Sequence, residues 1–79
     1  MTNKEKYDQI FIEVFLIDKE NLNENLTYNS IKLWDSVGHM TMIAGLETAF
    51  DITMETEDVV DFSSFAKGIE ILNKYGIEF

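Results

Sequence analysis

Tyr7, Ile10, Phe11, Val14 and Phe15 are apolar in an otherwise polar stretch. Their spacing is i, i+3, i+4, i+7, i+8, one face of an amphipathic helix. Ile12, Leu16 and Ile17 widen that face, and the pattern predicts a helix over residues 3–18. The run 10–17 is apolar enough for a strand to be conceivable, but the 3.6-residue period and the polar flank "NKEKYDQ" favour helix. Residues 19–35 lose the period and are rich in asparagine, whose side chain competes with backbone hydrogen bonds and favours turns. A long ordered loop is expected there, with Leu22, Leu26, Tyr28, Ile31 and Leu33 pinning it to the core.

Periodicity resumes after Asp35. A second helix is predicted from residues 35–36 to 50–51, with Val37, Met40, Ile43, Ala44, Leu46 and Phe50 on its apolar side. Gly45 lies inside it, where glycine costs about 1 kcal/mol relative to alanine, so a close packing contact is expected at that position. A short third helix follows over 55–61, its acids near the N-terminus where the macrodipole favours them. Ser63 or Ser64 caps a fourth helix. Phe65, Ile69 and Leu72 face inward on it, it stops at Gly76, and the apolar tail 77–79 can fold back. The reading is all-α: a small four-helix arrangement with a long first loop and a short third helix, one domain over residues 1–79.

The chain has 79 residues, no cysteine, no proline and four glycines. The lack of cysteine excludes disulfide staples and thiolate metal sites. No apolar run approaches the roughly 20 residues of a membrane span, and the first ten residues lack the apolar core of a secretory signal. The expectation is a cytoplasmic protein, monomeric and without membrane insertion. Net charge is −9, with no arginine. Residues 1–34 hold six acids and four lysines, whereas residues 35–79 hold nine acids and two lysines. Such a surface repels nucleic acid and anionic membranes and attracts basic partner surfaces, although acidity for solubility alone has the same composition.

Candidate chemistries can be tested in turn. A serine hydrolase needs a base positioned on its nucleophile. The only histidine, His39, follows Ser36 by three residues, without an oxyanion nest or strand-turn-helix elbow. His39 is expected to be an exposed helix residue. An EF-hand frame started at Asp51 puts Thr56 where glycine is needed and Phe62 where the bidentate glutamate is needed. The frame fails, and no metal site is expected. A bundle this small leaves little room for a closed substrate pocket, so no catalytic residues are assigned.

The second half carries a more specific pattern. "WDSVGHMTMIAGLETAFDI" resembles the helix that follows the modification site in acyl and peptidyl carrier proteins, with its Asp-Ser-Leu start and later Leu-Glu…Phe-x-Ile signature. Asp35 and Ser36 match the first two positions, Val37 stands in for leucine, and Met40 fills the core aliphatic position. Leu46, Glu47, Phe50 and Ile52 match the later signature. The form "WDS-x-GHM" is closest to the discrete carriers of specialised pathways, and the resemblance covers nearly the whole chain. It implies a four-helix bundle of the acyl-carrier type. Ser36 would receive a 4′-phosphopantetheine arm from coenzyme A, attached by a separate magnesium-dependent phosphopantetheinyl transferase. The arm would hold acyl or aminoacyl groups as thioesters, taken from a loading enzyme and delivered to downstream synthases or transferases. The carrier itself would not be a catalyst. Fatty acyl, polyketide, amino acid and sugar-modifying acyl cargoes all remain open.

Elementary physics agrees with an attachment site. Asp35 is a good N-cap and puts Ser36 in the first helical turn. A phosphodiester there sits at the positive end of the helix dipole, worth about 0.3–1 kcal/mol at an exposed site.

The chain also departs from the family pattern. Trp34 stands where glycine is common, either anchoring the loop on the core, covering apolar surface beside the attachment point or stacking on the arm. The body of the second helix holds a single acid, Glu47, while Asp51, Glu55, Glu57, Asp58 and Asp61 cluster after it with no lysine among them. The expected partner surface is therefore apolar at Val37, Met40 and Met42, with charge read from Glu47, Glu55, Glu57 and Asp58. Met40, Met42 and Met54 either fill the core or adapt to a sequestered acyl chain. The alternative reading is a small acidic helical protein-interaction module that keeps the fold and works without the arm.

Overall fold

Thr2 starts the first helix through a reciprocal capping box. Its hydroxyl accepts from the Glu5 amide at 3.1 Å, and the Glu5 carboxylate accepts from the Thr2 amide at 2.8 Å. The computed structural model describes residues 1–79 and contains four α-helices and no β-strand. They are α1 (Asn3–Phe15), α2 (Ser36–Phe50), α3 (Thr56–Asp61) and α4 (Phe65–Lys74), with one short 3-10 turn at Lys19–Asn21. The result is a small helical bundle, and no helix is long and apolar enough to cross a membrane.

α1 ends at Phe15, three residues short of the expected end, because Leu16 turns left-handed at φ 54°. Leu16 therefore leaves the apolar face and is 78% exposed. The apolar period alone could not show this, since leucine rarely adopts that conformation. α2 and α3 begin and end within a residue of expectation, and Ser64 rather than Ser63 caps α4. The tail does fold back. The Ile77 amide donates to the Leu72 carbonyl at 3.2 Å, and Phe79 lies edge-on against Tyr7 at 5.3 Å.

The core is aromatic and centres on Phe11. Its ring meets Tyr7 at 4.9 Å, Phe65 at 5.1 Å, Trp34 at 5.5 Å and Phe15 at 5.7 Å between centroids. Aromatic pairs at such distances add about 0.5–1.5 kcal/mol beyond area burial. Tyr7 stays compatible with this interior because its hydroxyl donates to the Phe65 carbonyl at 2.7 Å. Burial pushes its ionisation well above the ordinary tyrosine range. Gly45 is explained by α1, since a Cβ there would lie 3.3 Å from Ile10 Cγ2. Ile10 and Val14 pack only partly buried against the core.

The loop 19–35 is ordered by its own asparagines. Asn21 accepts from the Asp18 amide at 3.0 Å, and Asn23 accepts from the Asn25 amide at 2.9 Å while donating to the Glu20 carbonyl at 3.1 Å. The loop is then sewn to the start of α4. The Tyr28 amide donates to the Ser63 carbonyl at 2.9 Å, and the Phe65 amide donates to the Leu26 carbonyl at 2.9 Å. Leu26 is buried and Leu22 and Ile31 are half-buried, as expected of pinning residues, while Tyr28 and Leu33 are exposed.

Candidate functional site

Asp35 caps α2 with a side-chain oxygen that accepts from the Gly38 amide at 2.8 Å. The His39 amide donates to the Asp35 carbonyl at 2.8 Å. Ser36 is thus the first residue of α2 and is exposed. Its own amide and that of Val37 make no intramolecular hydrogen bond, as is usual in a first helical turn. Gly38 lets the loop close over α2, because a Cβ there would collide with the Leu33 carbonyl.

Ser36 stands at the edge of an open groove of about 320 Å³ between α2, α3 and the loop. Met40, Val59, Val60, Tyr28 and Phe62 supply most of its wall, and no charged side chain lines it. Val37 and Val60 are each 75% exposed and Met40 is 53% exposed. Apolar side chains so exposed, gathered around one serine, are informative in a way that scattered ones are not.

His39 departs from expectation. It is half-buried, and both ring nitrogens are engaged. The Trp34 Nε1–H donates to His39 Nδ1 at 2.9 Å. Indole can only donate, so Nδ1 must accept and the ring proton belongs on Nε2. Nε2–H then donates to the Val59 carbonyl, 2.8 Å away. The imidazole stacks on Trp34 and meets Tyr28 and Phe62 edge-on. It links the loop, α2 and α3, and neither nitrogen is left to act as a base on Ser36. Trp34, with no exposed surface, is a loop anchor in the core, stacked on Phe15 at 5.1 Å.

Four further expectations are corrected or refined. Met42 is fully buried and belongs to the core, so it offers no partner surface. Met40, expected both at a core aliphatic position and in the partner surface, is exposed and lines the groove, not the core. α2 is apolar on nearly every side, and periodicity could not tell its inner methionine from its outer one. Glu47 is half-buried, and its carboxylate accepts from the Met54 amide at 2.9 Å, holding the chain after α2. Met54 is itself a core residue.

Asp58 is the fourth. It is buried, with Lys74 Nζ 2.6 Å from one carboxylate oxygen and the Tyr75 hydroxyl donating to the other at 2.6 Å. The same tyrosine oxygen accepts from the Glu55 amide at 2.9 Å. The bonds from Lys74 and then Tyr75 hold the Asp58 carboxyl below its ordinary range. The bond to Asp58 lifts both Lys74 and Tyr75. Asp58 therefore ties α3 to α4 and is not a docking charge. The acidic cluster lacks lysine in sequence, but Lys74 meets it in space. Glu55 and Glu57 are exposed, as are Asp51 and Asp61.

No family model, curated protein or solved structure matches the chain.

Proposed function

We propose that this chain is a carrier protein whose Ser36 bears a 4′-phosphopantetheine arm. The observation that carries the reading is the setting of Ser36. Its hydroxyl is exposed at the first residue of a capped helix, on the rim of an uncharged apolar groove, and the nearest histidine is bonded elsewhere. The residues present fit the group. The amides of Ser36 and Val37 make no intramolecular hydrogen bond and would be available to a phosphodiester on Ser36, at the positive end of the α2 dipole.

In the attachment step the Ser36 hydroxyl oxygen forms a bond to the pantetheine-side phosphorus of coenzyme A. The pyrophosphate bond breaks, adenosine 3′,5′-bisphosphate leaves, and the hydroxyl proton passes to the transferase. When bound, the arm supplies a thiol that holds acyl or aminoacyl groups as thioesters. Val37, Met40 and Val60 offer apolar contact to the enzymes that act on it, and Glu55 and Glu57 offer charge to basic patches. A cytoplasmic location suits this role.

The test is incubation with coenzyme A, magnesium and a phosphopantetheinyl transferase, read by intact mass. One arm is expected on the native chain and none on Ser36→Ala. No mass gain with several promiscuous transferases overturns the reading. Exposed Met40 and Val60 in the groove, with exposed Val37 next to Ser36 in the chain, also support the second reading, an interaction module working without an arm. In that case Ser36→Ala leaves partner binding unchanged.

A further inference from the structure

The groove beside Ser36 has His39 in its lining. Trp34 holds one nitrogen of this residue and the Val59 carbonyl holds the other, so the ring spans from α2 to α3. Behind it lie Trp34 and Phe62, both without meaningful exposure, and Phe62 is stacked on the central Phe11 at 6.3 Å. The four cavities of the molecule all open to solvent. Next to the groove at Ser36, the rings of His39, Trp34 and Phe62 are packed against one another.

We propose that His39 is a specificity-determining residue that closes the bundle interior and limits what the protein shelters to a short apolar acyl length in the outer groove. The inference rests on Ser36 carrying the arm. The groove volume of about 320 Å³ accommodates on the order of ten groups at about 30 Å³ each, the share of one water and close to that of a methylene. With part of it taken by the end of the arm, fewer than about ten carbons are covered there, and a longer chain runs out of the open groove into solvent. The lining has no charged side chain, so a cargo with a free charge gains nothing there. Burying a longer chain inside the bundle would require displacing His39, which would leave the buried indole N–H of Trp34 without an acceptor.

The experiment loads the full chain from acyl-coenzyme A thioesters of increasing length, from acetyl to tetradecanoyl, and checks each product by intact mass. Melting temperature and the indole N–H resonance of the single tryptophan are then measured. The melting temperature is expected to rise with acyl length over fewer than about ten carbons and then stay level. The indole resonance is expected to stay in place throughout. In His39→Ala the rise should continue to the longest chain, because the wall is gone. If that variant does not fold, the native series decides alone.

A native melting temperature that climbs through the longest chain, or an indole resonance that shifts with it, overturns the proposal. So does a melting temperature indifferent to acyl length. A chain that accepts no arm from any transferase fails at the mass measurement, which removes the carrier reading and this inference with it.

Discussion

The indole of Trp34 and the imidazole of His39 lie nearly parallel, 16° apart, and are joined by a 2.9 Å hydrogen bond from Nε1–H to Nδ1. One residue ends the long loop and the other sits in the first turns of α2. The bond therefore fixes how the loop delivers the chain to Ser36, and it selects the imidazole tautomer that reaches α3.

Replacing Trp34 by phenylalanine keeps an aromatic ring but removes the only donor to His39 Nδ1. The lost buried bond should cost about 1–3 kcal/mol, with more for the missing ring volume. A lower urea midpoint at unchanged slope is the expected result. Exposed Val37 is the control, since Val37→Ala should stay within about 0.5 kcal/mol.

Asp35 acts on the Gly38 amide through its side chain. Asp35→Ala should lose about 0.5–2 kcal/mol, and Asp35→Asn, which keeps an accepting oxygen, much less. Chemical denaturation separates the two. Under the carrier reading, Asp35→Ala should also slow arm attachment without abolishing it, because Ser36 remains in place.

Asp58 makes stability depend on acid. Its ordinary value is 3.8 and the folded state lowers it. Its contribution is therefore complete above the ordinary value and is lost as pH falls through the lower folded value. Melting temperature should drop through that acid window in the native chain. The drop should be shallower in Asp58→Asn, whose stability at neutral pH is already reduced, and in Tyr75→Phe, which removes one of the bonds responsible. Lys74 gives the opposite limb. Its value is raised from 10.5, so its contribution is present below that and lost as pH rises through the higher folded value.

Glu55 and Glu57 should behave differently from Asp58, although all three sit within four residues. With a cognate loading enzyme, Glu55→Gln with Glu57→Gln should slow association and flatten its salt dependence while leaving the melting temperature nearly unchanged. Association kinetics unchanged across salt would remove these two residues from the docking surface. Asp58→Asn should instead lower stability, because it breaks the tie to α4.

Much of the fold is legible in local chemistry. Asp35 and Ser64 announce helix starts because a side-chain oxygen can satisfy an orphan amide within three residues. The loop is legible because Asn21 and Asn23 bond to backbone only two or three residues away. Gly45 signals a close helix approach, and Ile10 supplies it. Each of these depends on neighbours in sequence or on a single periodic face.

The site was legible only at its entrance. Asp35, Ser36 and the apolar Val37 stand as their local positions dictate. His39, Met42 and Asp58 do not, for one reason: each is defined by a partner far along the chain. His39 needs the Val59 carbonyl twenty residues on, and Asp58 needs Lys74 and Tyr75 from the next helix. Met42 and Met40 are chemically identical and two residues apart, and only the side on which α1 packs makes one core and the other groove wall. The sequence by itself determined where helices begin, which residues turn the loop and which hydroxyl stands exposed, since backbone hydrogen bonding and capping are local. The tertiary structure decided which polar side chains are satisfied internally and which face the groove, because burial and pairing depend on how the helices come together.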